Sequence, residues 1–128
     1  MGEMPRMVHQ NSCVFHDELA FVNEYALVEG DAEGQWLADN VGRASGVLLA
    51  HHGAIVTAPS IAEACYKAAT FERLCRLTYD ALAAGRTPQE IPVGARDQMK
   101  AALRQNAPRV YFDGAVRLLL KDEPDVLK

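Results

Sequence analysis

Two short aliphatic runs on either side of the step His51-His52-Gly53 constrain the fold of this chain more than any other feature. The run Val47–Ala50 is apolar at successive positions, which is typical of a strand buried on both faces, and Ala54–Thr57 predicts a second strand. Residues 61–82 then place apolar side chains at three- and four-residue steps, the period of an amphipathic helix. Strands that alternate with helices predict a layered α/β fold.

The long helix carries its own start and stop signals. Ser60 and Glu63 have the spacing of a capping box, in which each side chain pairs with a free amide of the first turn. Gly85 is placed to end the helix. Upstream, the apolar run Leu19–Val22 predicts another buried strand, and Glu33–Val41 predicts a short helix.

In the last third of the chain the sequence predicts helical segments that are interrupted by a linker and by turns. Prolines bracket an internal linker over residues 86–94, and helical spacing resumes over Ala95–Gln105. Pro108 predicts a break in that helix, because proline lacks the amide hydrogen and clashes with the preceding turn. Asp113-Gly114 is typical of a turn. For Ala115–Leu120 the pattern fits a strand or a helical turn equally well.

The amino-acid composition is typical of an ordinary globular domain. With 128 residues, 49% of them hydrophobic and 23% charged, the chain has the size of one domain, residues 1–128. Thirteen basic against seventeen acidic residues give a net charge of −4, so we expect no nucleic-acid partner. The three cysteines form no C-x-x-C pair, and we expect reduced core thiols.

Apolar segments are short throughout the sequence. The run Gly46–Ala50 is far below the ~20 residues that cross a bilayer, so we expect no membrane span. The first six residues contain no apolar core of a signal peptide. These observations predict a cytoplasmic protein.

The step His51-His52-Gly53 is the most informative local feature for function. Two imidazoles follow a buried strand, and the glycine permits close approach of a ligand or a metal. In an extended segment their side chains point to opposite faces, so at most one faces a given pocket. The alternative interpretation is a pair of structural histidines. One histidine alone defines no catalytic zinc site, which takes about three protein ligands.

Three segments together resemble the class II aldolase/adducin family: Gly46–Val56, Ser60–Ala64 and Thr70–Arg73. In that family a buried strand, a His-Gly step, a second strand and a long helix follow one another in this order. The resemblance extends from His9 to about Gly85. It implies a layered α/β/α sandwich of the class II aldolase/adducin type.

The resemblance also assigns a role to one histidine. In the family, the histidine just before the glycine is one of three zinc ligands, and this position falls on His52. His51 is then the neighbour that faces away from the metal. We expect His52, with Gly53 beside it, at the mouth of a cleft at the end of the Val47–Ala50 strand.

Other parts of the family pattern are absent from this sequence. Family enzymes carry two further zinc histidines in an H-x-H step, a catalytic acidic residue and a phosphate or carboxylate site, all upstream of a segment like Met7–Gln10. The chain therefore corresponds to the carboxy-terminal half of such a domain, incomplete on its N-terminal side.

The implied activity is that of a zinc-dependent aldolase, epimerase or decarboxylase-type lyase on small hydroxylated or carboxylated substrates. Zinc there polarises a substrate oxygen and stabilises the anion formed on bond cleavage. The family forms tetramers with sites between subunits, so we expect a homo-oligomer. The alternative is a non-catalytic, adducin-like interaction module or an inactive remnant, and no catalytic residue is assigned within this chain.

Five further residues have both a functional and a structural interpretation. Tyr111 lies in the tail, where family enzymes can use a tyrosine near the metal of an adjacent subunit, but it also suits a hydrogen-bonded core position. Glu72 and Arg73 fit a solvated or intersubunit ion pair better than catalysis. His9 and His16 are substitute candidates for metal ligands, although nothing in the spacing fixes them near the His-Gly step.

Overall fold

A computed structural model of the chain describes residues 2–24 and 27–127. The elements in chain order are a 3₁₀ helix (Gln10–Phe15), β1 (Leu19–Val22), α1 (Asp31–Val41), β2 (Gly46–Leu49), β3 (Gly53–Val56), α2 (Ile61–Ala83) and α3 (Val93–Asp122). The strands and first two helices thus lie where the sequence predicts them, within two residues at each end. No helix of the described residues has the length and apolar character needed to span a membrane.

The three strands form one sheet in the order β1-β2-β3. β1 and β2 run parallel, with α1 in the crossover between them, and Leu19 pairs with Gly46. β2 and β3 form an antiparallel hairpin in which Leu49 pairs with Gly53. The predicted α/β class is therefore confirmed.

Helices lie on both faces of the sheet, closely packed on one face and loosely on the other. On one face Leu19, Leu48 and Val56 pack against a core that the 3₁₀ helix and α2 supply. That core contains Phe15 and Phe71, whose ring centroids are 5.3 Å apart. The opposite face meets α1, which packs beside β1. This is a small α/β/α arrangement.

Helix α2 begins after Ser60 and ends before Gly85, as predicted, but only half of the capping box forms. The Ser60 hydroxyl accepts a hydrogen bond from the Glu63 amide at 3.2 Å. The Glu63 carboxylate does not complete the capping box but pairs with Lys67 Nζ at 3.2 Å. Past the end of the helix, Gly85 has a φ of +67° and its amide bonds to the carbonyl of Leu82 at 2.9 Å.

The carboxyl-terminal third differs from the sequence prediction. α3 runs without interruption from Val93 to Asp122, so the break at Pro108 and the turn at Asp113-Gly114 are wrong. A proline inside a helix costs about 3 kcal/mol. Pro108 is buried, and α3 packs along both α2 and the 3₁₀ helix. Burial of this one side of α3 outweighs the local cost.

The connection between α2 and α3 runs from residue 84 to residue 92. Helix α3 thus takes in the last two residues of the linker expected over 86–94. The connection is tied to the start of the chain, because the Ile91 amide donates to the Met7 carbonyl at 2.8 Å.

The cysteines lie in or near the core. Cys13 is buried, Cys65 and Cys75 are partly buried, and all three are free. Burial raises the pKa of the Cys13 thiol. Burial and then the negative charge of Glu72 raise the pKa of Cys75. Both groups are therefore held as neutral thiols, unsuited to act as nucleophiles.

Candidate functional site

The two histidines lie in the tight loop that joins β2 to β3. The His52 amide donates to the Leu49 carbonyl at 3.2 Å, which closes a turn with Ala50 and His51 at its centre. His51 has a φ of +59°, in the left-handed region that histidine adopts more readily than most residues. Both imidazoles are exposed. The expectation of an extended segment is thus wrong at this point, since the chain turns there.

The turn separates two cavities. The first, of about 410 Å³, lies on the α1 side of the sheet and is lined by apolar side chains that include Trp36 and Leu49. The second, of about 610 Å³, lies on the α2 side, with Phe71 and Glu72 in its wall. His52 lines both cavities, whereas His51 lines only the second. The structure thus places His52 at the end of β2, at the mouth of both clefts.

Residues 1–79 match the sequence profile described as Class II Aldolase and Adducin N-terminal domain. The chain belongs to the class II aldolase and adducin family. This membership confirms the resemblance seen around the His-Gly step. No curated protein sequence gives a significant match.

Two solved structures share the fold. An aldolase II superfamily protein from Pseudomonas syringae superposes with a TM-score of 0.76 at 17% sequence identity, over 94% of this chain and 50% of the other. L-fuculose 1-phosphate aldolase from Glaciozyma antarctica PI12 gives a TM-score of 0.75 at 18% identity, over 94% of this chain and 47% of the other. This class II aldolase family chain thus spans about half the length of each structure.

The family generally uses a divalent metal ion. His52 suits a ligand position, because its imidazole is exposed and makes no hydrogen bond within the described residues. However, residues 2–24 and 27–127 contain no group of three histidine, cysteine or acidic side chains placed to hold an ion. A catalytic zinc ion takes about three protein ligands. The described residues therefore do not fit a complete metal site.

The other two histidines lie elsewhere. His16 is buried, with Nδ1 3.5 Å from Asp17 and Nε2 3.8 Å from Asp97. His9 lines a separate cavity with Arg73, and burial followed by the charge of Arg73 lowers the pKa of its imidazole. Neither histidine lines a cavity with the turn. They are thus not brought to His52 as substitute ligands.

The remaining candidates divide between two sides of α2. Glu72 faces the cavity that holds His51 and His52, while Arg73 faces the one that holds His9. The structure shows no ion pair between Glu72 and Arg73. Tyr111 packs edge-on against Tyr66, with ring centroids 5.8 Å apart. Of the sequence candidates, only Glu72 is thus brought to the histidine turn.

Sequence reasoning missed a charged cluster around Glu18. This carboxylate is surrounded by four donors: Ser45 Oγ at 2.6 Å, Arg104 Nη2 at 2.7 Å, Lys100 Nζ at 2.8 Å and Lys67 Nζ at 3.7 Å. Burial alone would raise the pKa of Glu18, but hydrogen bonds from Lys100 and Ser45 and the charges of Lys100 and Arg104 lower it to about 2. No local spacing signals this cluster, because the residues that hydrogen-bond to Glu18 lie between 27 and 86 positions from it.

Proposed function

We propose that this chain supplies part of the active site of a zinc-dependent, aldolase-type lyase that acts on small hydroxylated or carboxylated molecules. The observation that carries the proposal is the position of His52. In a chain with the class II aldolase fold, this exposed imidazole lies at the end of β2, beside Gly53 and between two cavities. We assign to His52 the role of one zinc ligand.

The substrate class rests on the family and on the cavities. One of the solved relatives is an L-fuculose 1-phosphate aldolase by name, so a hydroxylated sugar phosphate is the substrate of that protein. In this chain His51, His52 and Glu72 place polar groups along an otherwise largely apolar cavity of about 610 Å³. A cavity of this size suits a small metabolite held by a few polar contacts.

The remaining ligands have to come from residues other than those described. The described residues offer one suitable imidazole, while a catalytic zinc site takes about three protein ligands. We infer that a segment with a His-x-His step, joined to this chain or on a separate polypeptide, completes the site. In this chain His52 binds the ion, and Glu72 lies in the wall of the same cavity as His52.

The test begins with zinc content and with the coding sequence. Dialysed against a chelator, the chain alone is expected to retain far less than one zinc per chain, because one imidazole binds zinc weakly. We expect a His-x-His step to be encoded either immediately upstream of Met1 or in a neighbouring gene. The joined or mixed polypeptides should then hold stoichiometric zinc by elemental analysis.

Variants of the turn separate the two histidines. In the completed protein His52→Ala should abolish zinc binding, whereas His51→Asn should retain it, because asparagine also tolerates a positive φ. Aldol cleavage of small hydroxylated substrates, followed by carbonyl release, should depend on the same ion. Stoichiometric zinc in the chain alone, or zinc binding that survives His52→Ala, contradicts the proposal. Zinc without lyase activity favours the interaction module.

We also propose that the chain associates with itself. Leu27 and Val28 are 59% and 51% exposed and line the apolar cavity on the α1 side. Within the described residues, β1 and β3 each have one strand neighbour, so each has an open edge that can pair. Sedimentation velocity is expected to show an oligomer at micromolar concentration. A monomer at every concentration refutes this assignment.

A further inference from the structure

A small cavity of about 100 Å³ lies where the start of the 3₁₀ helix meets α2 and α3. Polar side chains form most of its wall: His9, Asn11, Tyr66, Thr70, Arg73 and Tyr111. It shares no lining residue with the two cavities at the histidine turn. Nothing in the proposed lyase chemistry uses this cavity.

Two buried polar atoms at this cavity lack a well-formed hydrogen bond. Tyr66 is only 3% exposed, and neither its hydroxyl oxygen nor His9 Nε2 has a partner at full hydrogen-bond geometry among the described residues. Burial raises the pKa of Tyr66, and the nearby Thr70 hydroxyl partly offsets this effect. Folded proteins leave few buried polar atoms unpaired, so each one requires an explanation. The Tyr111 ring packs edge-on against Tyr66 and holds that ring in place. Both groups therefore lie at the cavity with hydrogen-bonding capacity that the protein does not fully use.

The charge at the cavity is positive. Arg73 forms no ion pair with a carboxylate of the described residues. Its neighbour Arg76 lies 4.0 Å from Asp80 and is thereby compensated. A guanidinium group offers a planar pair of donors that matches a carboxylate or phosphate group. Arg73 is exposed at the mouth of the cavity, and beside it lie two buried polar atoms that make no well-formed hydrogen bond. An oxyanion bound there would pair with all three groups.

We propose that this cavity binds the anionic end of a small molecule, a carboxylate or a phosphate group. Arg73 supplies the positive charge, and the Tyr66 hydroxyl and His9 Nε2 supply hydrogen bonds. A wider cleft of about 590 Å³ shares His9, Asn11 and Arg73 with the cavity, which leaves room for the rest of the ligand. The competing explanation is one ordered water molecule that bridges the same groups.

Binding is tested with inorganic phosphate and with acetate, each titrated calorimetrically against the full chain at constant ionic strength. We expect saturable binding of at least one anion, and the one that binds identifies the ligand class. Arg73→Gln should weaken binding roughly tenfold or more, since it removes a charge-assisted contact. Arg43→Gln removes the same charge from an exposed position after α1 and should leave the affinity within about twofold.

Tyr66→Phe tests the unpaired hydroxyl separately. In anion-free protein this variant should raise Tm, because it removes a buried polar atom that makes no well-formed hydrogen bond. It should also weaken anion binding severalfold. A lower Tm shows that the hydroxyl already has a partner, such as an ordered water, and overturns the proposal.

A proton resonance of the His9 ring gives a readout in the unmodified chain. It should shift with anion concentration and saturate with the calorimetric affinity, while those of His51 and His52 stay in place. If neither anion saturates, the proposal is wrong. If Arg73→Gln and Arg43→Gln weaken binding equally, the attraction is a diffuse charge effect, and the proposal is equally wrong.

Discussion

Arg104 Nη2 lies 2.7 Å from Glu18 Oε1, although the two residues are 86 positions apart in the sequence. Lys100, one turn earlier on α3, lies 2.8 Å from the same oxygen. Lys100 also donates to the carbonyl of His16. Glu18 immediately precedes β1, so this carboxylate joins the sheet to the longest helix of the molecule.

Glu18→Gln should destabilise the fold by about 2–3 kcal/mol at neutral pH, because it leaves the surrounding cations without their counter-charge. Urea unfolding followed by circular dichroism measures the effect. Glu3→Gln, at an exposed position, is the matched control and should change stability by less than about 0.5 kcal/mol. Equal effects of the two variants would show that the cluster contributes nothing.

The lowered pKa of Glu18 predicts that the stability of the fold depends on pH. The pKa of Glu18 falls from 4.5 to about 2 on folding. A lowered pKa in the folded state stabilises the protein above the unfolded value, and this contribution is lost as the pH falls from 4.5 towards 2. A lowering of the pKa of this size corresponds to roughly 3 kcal/mol of stability at neutral pH.

Comparison with Glu18→Gln isolates this contribution from those of the other acidic groups. The difference in unfolding free energy between wild type and variant should be constant from pH 7 to pH 5 and should shrink below pH 4.5. A difference that stays constant down to pH 2 would contradict the lowered pKa.

His51→Gly should stabilise the fold by about 0.5–1 kcal/mol, because glycine adopts a positive φ without strain. His51→Val should destabilise it by about 1–2 kcal/mol, since a β-branched side chain is strained at this φ. Thermal unfolding measures both. His52→Val is the control at the neighbouring position, with an expected change below about 0.5 kcal/mol. The reverse order of the two His51 variants would refute the turn geometry.

Gly46→Ala should destabilise the fold by about 1–3 kcal/mol through overpacking. An added Cβ at this position would lie 2.9 Å from Phe15 Cε1 and 3.0 Å from Leu19 Cδ2. Gly114→Ala is the matched control on α3, where the nearest atom is 3.9 Å away on the flexible Arg117 side chain. That variant should stabilise the helix by about 1 kcal/mol. Denaturant titration measures the free energy of unfolding of both variants. Destabilisation by Gly114→Ala would argue against a continuous α3.

Local patterns predicted the elements whose stability is set locally. The strand Val47–Ala50 and helix α2 were found because a run of buried aliphatics, a cap at Ser60 and a stop at Gly85 all lie within the segments themselves. The predicted break at Pro108 was wrong because the energetic cost of a proline in a helix is local. The packing that outweighs this cost comes from α2 and the 3₁₀ helix, which are distant in sequence.

The candidate site was predicted only in part, because only some of its residues are neighbours in the sequence. His52 and Gly53 are adjacent in sequence, so their position after a strand could be inferred directly. The left-handed φ of His51 could not, because the loop carries none of the Asn-Gly or Asp-Gly signals of a tight hairpin. The unpaired groups of Tyr66 and His9 meet only after the 3₁₀ helix and α2 have packed together.

The order of the elements, with α3 after the sheet and α2, has a consequence for synthesis. As the polypeptide leaves the ribosome, the sheet and α2 emerge before Lys100 and Arg104 do. Glu18 then has Ser45 and Lys67 nearby, but it lacks the two cations that bond to its Oε1. Until α3 docks, the sheet carries a partly neutralised carboxylate beside its edge strand, so we expect docking of α3 to complete the packing of this unit.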